Sequence, residues 1–440
     1  MLDSGVSHLA KLSRMHDRRR GAAAPGKTMD YATKLDRIVT APPALLLFLL
    51  PFAHTTALRS IALALTVAAA IYAWRKDPGP SIPLKVPLGL WLGMALATLA
   101  WARDPGYSFG EIRAVMVYDI VYFFAFFALA RQSWQWNLFR AALLAGLVAI
   151  AGIAAWVHAR TGTLNTDSYL GGVLSISTHL VAVFPLLLVA AFEFRRDGRA
   201  LAVAIVSAAA ALFVGYFTFN RMFILAIAAC SIVVAAATIW RHYPGLRRLR
   251  VLALAAAVLV GASGAFFVSV AQHHAETHYV GKTVQMTLEI DPRRDIWKFS
   301  LDLIREHPFS GVGFGLFAAE DLYREKFPEA KDSLNTHAHN PFLNSAVQMG
   351  LGGVAALLFL LFCLFREFWA LWRSDRMQVS LIGAAGLAML IGVLVKAQPD
   401  DLWGRHNGYL FWAITGMMLG HAHRLLRGPG RELAASSEGA

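Results

Sequence analysis

The sequence predicts an all-α, polytopic membrane protein, and three observations support this fold class. Of the 440 residues, 57% are hydrophobic and only 16% are charged, whereas a soluble domain carries about 25% charged residues. The apolar residues form long blocks and not the short alternating strands of an outer-membrane barrel. Several blocks reach the length of about 20 residues that a transmembrane helix needs. Cys230 and Cys363 both fall inside such blocks, which argues against a disulfide framework.

Twelve apolar stretches are predicted as transmembrane helices, although the first two are short and Pro51 and His54 blur their junction. The stretches are 41–57, 58–74, 86–102, 114–130, 138–158, 171–194, 200–218, 222–240, 251–271, 341–365, 379–397 and 408–423. The predicted organisation is a basic arm, nine helices, a polar loop, three helices and a tail, at 1–40, 41–271, 272–340, 341–425 and 426–440.

The distribution of basic residues predicts the orientation in the membrane. With the N-terminus inside, 26 of the 41 Lys and Arg residues lie on cytoplasmic segments, and eight of the 15 others lie in the long loop. Cytoplasmic loops of membrane proteins gather Lys and Arg. The net charge of +13 is therefore attributed to topology and not to nucleic acid. The arm and the tail are predicted to be cytoplasmic, and the loop is predicted to lie outside.

The long loop has the signals of a small helical subdomain. Asp291 and Pro292 are typical of an N-cap and a first helical position, and apolar residues follow at helical spacing. A second helix is predicted around 316–326. Asn340 and Pro341 then predict the start of the tenth span.

Three arginines are predicted close to helix N-termini on the outer side. Arg221 begins the eighth span, and Arg293 and Arg294 lie in the first turn of the loop helix. The helix dipole opposes a cation there by about 0.3–1 kcal/mol. A bound phosphate or diphosphate would compensate, and three such arginines together favour an anion site. Pairing with nearby carboxylates or lipid headgroups is the alternative.

Two histidines precede the tenth span. His339 stands directly before the cap residue Asn340, where the positive helix end favours a neutral imidazole that can accept a proton from a hydroxyl. His337 and His339 could instead ligate a metal, but no further ligand stands at a helpful spacing. A histidine that only packs at the membrane interface is the remaining alternative.

These motifs resemble those of bacterial O-antigen ligases. His339-Asn340, nine further residues and then Gly350-Leu351-Gly352-Gly353 resemble the family's periplasmic signature. Arg293 resembles its loop arginine, with Arg294 as an alternative one residue away. Arg221, in FNRMF, resembles an arginine at the outer end of a preceding span. The segment HPFSGVGFG also resembles a turn that the ligases share with related polymerases.

The resemblance implies a GT-C-like glycosyltransferase of the bacterial inner membrane whose site faces the periplasm. It would transfer O-antigen from undecaprenyl diphosphate to a sugar of lipid A–core, with inversion and with neither metal nor cofactor. Expected partners are these two substrates and membrane lipids, but no nucleic acid. His339 would act as the base, and Arg221 and Arg293 or Arg294 would bind the diphosphate. Asn340 and His337 would support the base, and glycines 350, 352 and 353 would let a neighbouring helix approach.

Three alternatives remain open. An O-antigen polymerase and a protein O-oligosaccharyltransferase share the donor and the layout with a ligase. A transporter would carry ionisable residues near the bilayer midplane.

Asp119 lies inside the fourth predicted span, where a carboxylate is costly and a functional role is suspected. A structural bond to a neighbouring Tyr or Arg is equally compatible with its position, so no role is assigned to it.

Overall fold

A computed structural model describes residues 25–161, 173–218, 220–242, 257, 261, 293–327, 337–398 and 405–428. The predicted ninth span, the predicted cap Asp291 and the rest of 272–292 lie outside the described residues, apart from two isolated positions in the span. The side chains of Arg221, Arg293 and Arg294 also lie outside the described part, although their backbone is described.

All regular secondary structure in the described residues is helical, which confirms the predicted class. By length and composition, eight of the described helical segments could cross a membrane. The total of twelve spans stays a prediction. In chain order the helices are α1 (Pro25–Leu49), α2 (Thr56–Lys76), α3 (Lys85–Thr98), α4 (Pro105–Ile112), α5 (Tyr118–Leu129), α6 (Ser133–Thr161), α7 (Val173–Glu193), α8 (Gly198–Phe217), α9 (Arg221–His242), α10 (Arg293–Glu306), α11 (Glu320–Lys326), α12 (Pro341–Trp372), α13 (Met377–Lys396) and α14 (Arg405–Arg427). A π-helical segment, Arg113–Val117, joins α4 to α5.

The first helix differs from its predicted position. It begins at Pro25, inside the predicted arm, and ends at Leu49. Within this helix the Asp36 carboxylate pairs with the Lys76 ammonium of α2 at 3.1 Å, which ties the two helices together. The end is explained by Pro51, since the residue before a proline is disfavoured in the helical conformation.

Close packing around α13 and α14 forms the centre of the bundle. Helix α13 packs against α7, α9 and α12, and α14 lies along α5. Glycine permits the contact between α14 and α5, because a Cβ at Gly416 or Gly420 of α14 would collide with the carbonyl oxygens of Phe123 and Phe127 of α5. Small residues allow membrane helices this close approach.

The loop forms a subdomain with a core of its own at one end of the bundle, which we call the loop end. Ile296 and Phe299 of α10 pack there against Tyr323 of α11 and Val347 of α12. A 2.9 Å ion pair between Lys326 and Asp302 joins the two loop helices, and the ammonium holds the pKa of the Asp302 carboxyl below its usual value. Helix α11 begins at Glu320, four residues after the predicted start.

Helix α12 is broken at Gly350, where the sequence predicts one continuous span. Gly350 has φ 67° and ψ −168°, and the turn that contains Pro308 docks into the break. The Leu351 amide donates to the Pro308 carbonyl at 2.8 Å, and the carbonyls of residues 347 and 348 accept from the amides of 312 and 313 at 2.9 and 3.2 Å. Irregular backbone at such a place is tolerated when protein groups satisfy it. The first half of α12, residues 341–349, is therefore a separate short helix at the loop end.

Candidate functional site

The predicted cap of α12 is present, and Asn340 provides it. Its Oδ1 accepts from the amides of Phe342 and Leu343 at 3.0 and 3.2 Å, and Pro341 occupies the first helical turn, as predicted. Because Asn340 satisfies these helix-end donors, His339 is not needed as a capping residue.

The peptide that carries the two histidines is held from two sides. The Ala338 amide donates to Asn344 Oδ1 and its carbonyl accepts from Trp297 Nε1, each at 2.8 Å. His339 has a φ of 47°, which is uncommon for a residue with a side chain. Its ring lies 3.8 Å from the His337 ring, centroid to centroid. The bonds at Ala338 stabilise this backbone and fix both imidazoles at the loop end.

A contact with α13 ties the same cap to the rest of the bundle. Asn340 Nδ2 donates to the backbone carbonyl and to Oε1 of Gln398, each at 3.2 Å. Lys396, two residues earlier, is only 1% exposed. Lys396 is not among the residues that the sequence motifs single out, although a lone lysine at the end of an apolar helix is an available signal of a functional residue.

Arg221 begins α9 at the loop end. Asn220 caps this helix, since its Oδ1 accepts from the amides of residues 222 and 223 at 3.0 and 3.3 Å. Helix α9 runs antiparallel to α13, with Cys230 Sγ donating to the Ala388 carbonyl at 3.3 Å and Trp372 Nε1 bonded to the Ala237 carbonyl. The first turn of α9 therefore approaches the end of α13, close to the Asn340 contact.

Arg293 and Arg294 are the first two residues of α10. One turn later, Trp297 holds the Ala338 carbonyl, directly before His339. The backbones of all three predicted arginines thus lie at the same end of the bundle as His339. Because their side chains lie outside the described residues, the convergence of the guanidinium groups on one ligand stays a prediction.

Of the glycines after the histidine motif, Gly350 has a different use from the predicted one. Gly350 accommodates the docked turn and not a helix, because a Cβ there would lie 2.5 Å from the carbonyl carbon and oxygen of Phe309. Gly352 does face a neighbouring helix, with the Met94 methyl of α3 2.6 Å from the position of such a Cβ.

A cavity of about 570 Å³, which no sequence motif predicts, opens beside the first half of α12. We call it the loop-end cavity. Its lining includes Trp91, Tyr107, Glu111, Phe314, Gln348 and His406. These residues come from α3, α4, α12, α14 and the loop, so no local pattern in the sequence could have joined them.

A buried arginine lies behind this cavity. Arg59 of α2 is only 6% exposed, and its Nη1 lies 2.7 Å from Nδ1 of His406. Asp119 is fully buried nearby, with Oδ1 2.8 Å from the position of a Cβ at Gly408, two residues after His406. Asp119 is not among the residues that line the cavity, and no role is assigned to it.

The described residues contain no group of three His, Cys, Asp or Glu side chains that could hold a metal ion. His337 and His339 therefore have no described third ligand of these types. The sequence-based expectation of a site without metal remains to be tested by experiment.

Comparison with known proteins gives one family. Residues 204–358 match the family model described as "Wzy_C: O-Antigen ligase". The matched region contains Arg221, Arg293, Arg294, His337 and the Asn340 cap. A search among curated proteins found no match. The match confirms the resemblance seen in the motifs, and it supports a membrane function of the O-antigen ligase or polymerase type. Residues 204–358 of this multi-pass helical membrane protein are therefore similar to the Wzy_C domain of O-antigen ligases.

Proposed function

We propose that the protein is an O-antigen ligase of the bacterial inner membrane. It transfers O-antigen from undecaprenyl diphosphate to a sugar hydroxyl of lipid A–core. The observation that carries the proposal is the anchored position of His339 at the loop end, where the first turns of α9 and α10 also bring their arginines.

The chemistry assigned to these residues is a single displacement. His339 accepts the proton of the acceptor hydroxyl, whose oxygen forms a bond to the anomeric carbon. The bond from that carbon to the phosphate oxygen breaks, and the electron pair leaves with undecaprenyl diphosphate. Arg221 and Arg293 or Arg294 stabilise the charge that develops on the leaving group. Attack from the opposite face inverts the anomeric centre.

A metal is not required in this scheme. The diphosphate is already a good leaving group, and guanidinium groups replace the divalent cation that would otherwise neutralise it. The protein is also proposed to be GT-C-like, with the loop end in the periplasm. The excess of Lys and Arg on the other side supports that orientation.

The test uses a strain that lacks its own ligase, with each variant present in the membrane at wild-type abundance. His339→Ala removes the base, which is worth about 10²–10⁴ in rate, so ladder-like lipopolysaccharide should disappear. His307→Ala, at an exposed histidine of the same loop, is the control and should keep the ladder. A wild-type ladder from His339→Ala would show that the histidine takes no part.

The arginines are tested with lysine, which keeps the charge but loses the planar fork. The double variant Arg293→Lys and Arg294→Lys should lower ladder formation by tenfold or more (about 1.4 kcal/mol), whereas Arg305→Lys, exposed on the same helix, should not. The purified enzyme should also retain its rate in a strong chelator. Loss of the rate that is restored by a divalent cation would contradict the metal-free mechanism.

An O-antigen polymerase is the second candidate, since the family match supports both activities at its coarser level. The two differ in the acceptor. Purified protein should join the donor to lipid A–core, whereas a polymerase would extend a second molecule of the donor. Transfer to a pilin-like protein would indicate an oligosaccharyltransferase.

A further inference from the structure

A groove of about 960 Å³ lies on the flank of the bundle, away from the loop end, and we call it the flank groove. Its two walls are the C-terminal parts of α9 and α12, and its floor is α13, against which both helices pack. Trp372 Nε1 of one wall donates to the Ala237 carbonyl of the other at 3.1 Å. None of the predicted site residues is among the described residues that line it, so the proposed reaction does not account for this groove.

The flank groove has the length of one leaflet of a bilayer. Along α9 it extends from Ile232 to Arg241, and nine residue steps of an α-helix rise about 14 Å. Half of a hydrocarbon core that is about 30 Å thick measures about 15 Å. Leu387 and Ile391, in the second half of α13, lie in the floor and place its inner end near the bilayer midplane. An acyl chain of one leaflet spans the same depth.

The walls of the flank groove are aromatic. Phe365 and Trp369 of α12 are 39% and 42% exposed, and Trp240 of α9 is 48% exposed. The rings of Phe365 and Trp369 are stacked with centroids 5.7 Å apart, and the Trp372 ring follows at 4.7 Å from that of Trp369. Tryptophan is enriched where membrane helices meet the lipid headgroups, because its ring is apolar and its N–H is polar. Such walls suit the upper part of an acyl chain.

Two guanidinium groups lie at the outer end of the flank groove. Arg241 is in the last turn of α9, and Arg373 directly follows α12. Arg241 pairs with Asp375 at 2.6 Å, but this carboxylate is fully exposed, so water weakens the pair. The described lining residues include no Asp or Glu, and two cations beside one carboxylate leave a positive charge. The helix dipoles account for basic residues at these ends, but not for the groove that begins between them.

We propose that the flank groove binds an anionic phospholipid. One acyl chain lies in the groove over α13, and the phosphate of the headgroup accepts hydrogen bonds from Arg241 and Arg373. Basic pockets between membrane helices on the cytoplasmic side bind anionic headgroups, and the predicted orientation places this end of the bundle in the cytoplasmic leaflet. A zwitterionic lipid binds more weakly, because its ammonium group is repelled by the arginines. This lipid is not a substrate, so the inference goes beyond the proposed function and does not depend on it.

Native mass spectrometry of the purified protein in a neutral detergent tests the proposal. Phosphatidylglycerol and phosphatidylcholine with identical acyl chains are the probes, and the first phosphatidylglycerol should bind about fivefold more tightly or better. Arg373→Gln should weaken phosphatidylglycerol binding by about fivefold, the usual effect of one basic residue beside an anionic headgroup. Arg366→Gln, exposed on the same helix and outside the lining, is the matched control and should bind like the wild type. Asp375→Asn removes the competing carboxylate and should strengthen binding.

The position of the lipid is tested separately with a photoreactive acyl chain on phosphatidylglycerol. In the wild type it should label residues 232–241 and 365–373, and labelling confined to other helices would contradict the proposed site. Thermal unfolding confirms that each variant is folded. Equal affinity of the wild type for both lipids, or wild-type phosphatidylglycerol binding by the folded double variant Arg241→Gln and Arg373→Gln, would overturn the proposal. A dimer that excludes the lipid would do so as well, because a second copy of the chain would then occupy the groove.

Discussion

Gly350→Ala is the sharpest test of how the site is built, because it affects the break in α12 without touching a proposed catalytic group. The observed φ of 67° with ψ −168° belongs to a region that is nearly exclusive to glycine, and a side chain there costs about 1–3 kcal/mol. The added Cβ would also lie 2.5 Å from the Phe309 carbonyl and 2.8 Å from the Pro308 oxygen. These atoms are backbone and cannot rotate away.

Relief of this clash requires the docked turn to leave the break. Three hydrogen bonds are then lost, those donated by the amides of residues 351, 312 and 313. Each contributes about 1 kcal/mol to stability. Because undocking also lets residue 350 leave the strained conformation, the two costs are not added, and the expected loss is about 3 kcal/mol, a large part of the stability of many domains. The first half of α12 would lose its orientation, so transferase activity should fall with stability.

Thermal unfolding in detergent, followed by tryptophan fluorescence, measures the first effect, and ladder formation in a ligase-deficient strain measures the second. Gly352→Ala is the matched control, since its Cβ meets only the terminal methyl of Met94, which can move, and alanine favours the helix. If both variants unfold at the same temperature and ligate equally well, the break does not need glycine and the reasoning fails.

Two further predictions concern polar contacts at the loop end. Asn340→Asp keeps a good cap but cannot donate a hydrogen bond to Gln398. The unfolding temperature should therefore stay near that of the wild type while ladder formation falls. Ladder formation equal to that of the wild type would show that this contact does not position the site. Arg59→Lys should destabilise the protein by about 1–3 kcal/mol, because the bond to His406 is lost in a buried setting, whereas Arg75→Lys, exposed at the other end of the same helix, should unfold like the wild type.

The fold class and most helix positions follow from local properties of the sequence. The length of an apolar stretch predicts the positions of α6 and α13 to within a few residues, because burial in a membrane depends on the composition of a single segment. The start of α10 and the Asn340 cap follow from helix-end preferences. The break in α12 could not be predicted. Glycine is common in membrane helices, and the decisive partner, the turn at Pro308, lies some forty residues earlier in the chain.

The candidate site likewise has a part that the sequence predicts and a part that it does not. His339 and its cap are adjacent in sequence, and their local arrangement is visible in the pattern alone. Glu111 and Gln348 meet across the loop-end cavity only through tertiary packing, and Lys396 is distinguished only by its burial. The sequence therefore predicts groups at helix ends but not the cavity between helices.

The break in α12 connects these two parts of the site. In a continuous helix the carbonyls of residues 347 and 348 would accept from the amides of 351 and 352, but in this protein they accept from the docked turn. The orientation of residues 341–349 is therefore set by the loop and not by the rest of α12. Because this short helix has the Asn340 cap at its start and lines the loop-end cavity, we expect a displacement of the turn to move His339 and the cavity wall together. Such coupling would keep the proposed base in one position relative to the cavity wall even if the surrounding membrane helices shift.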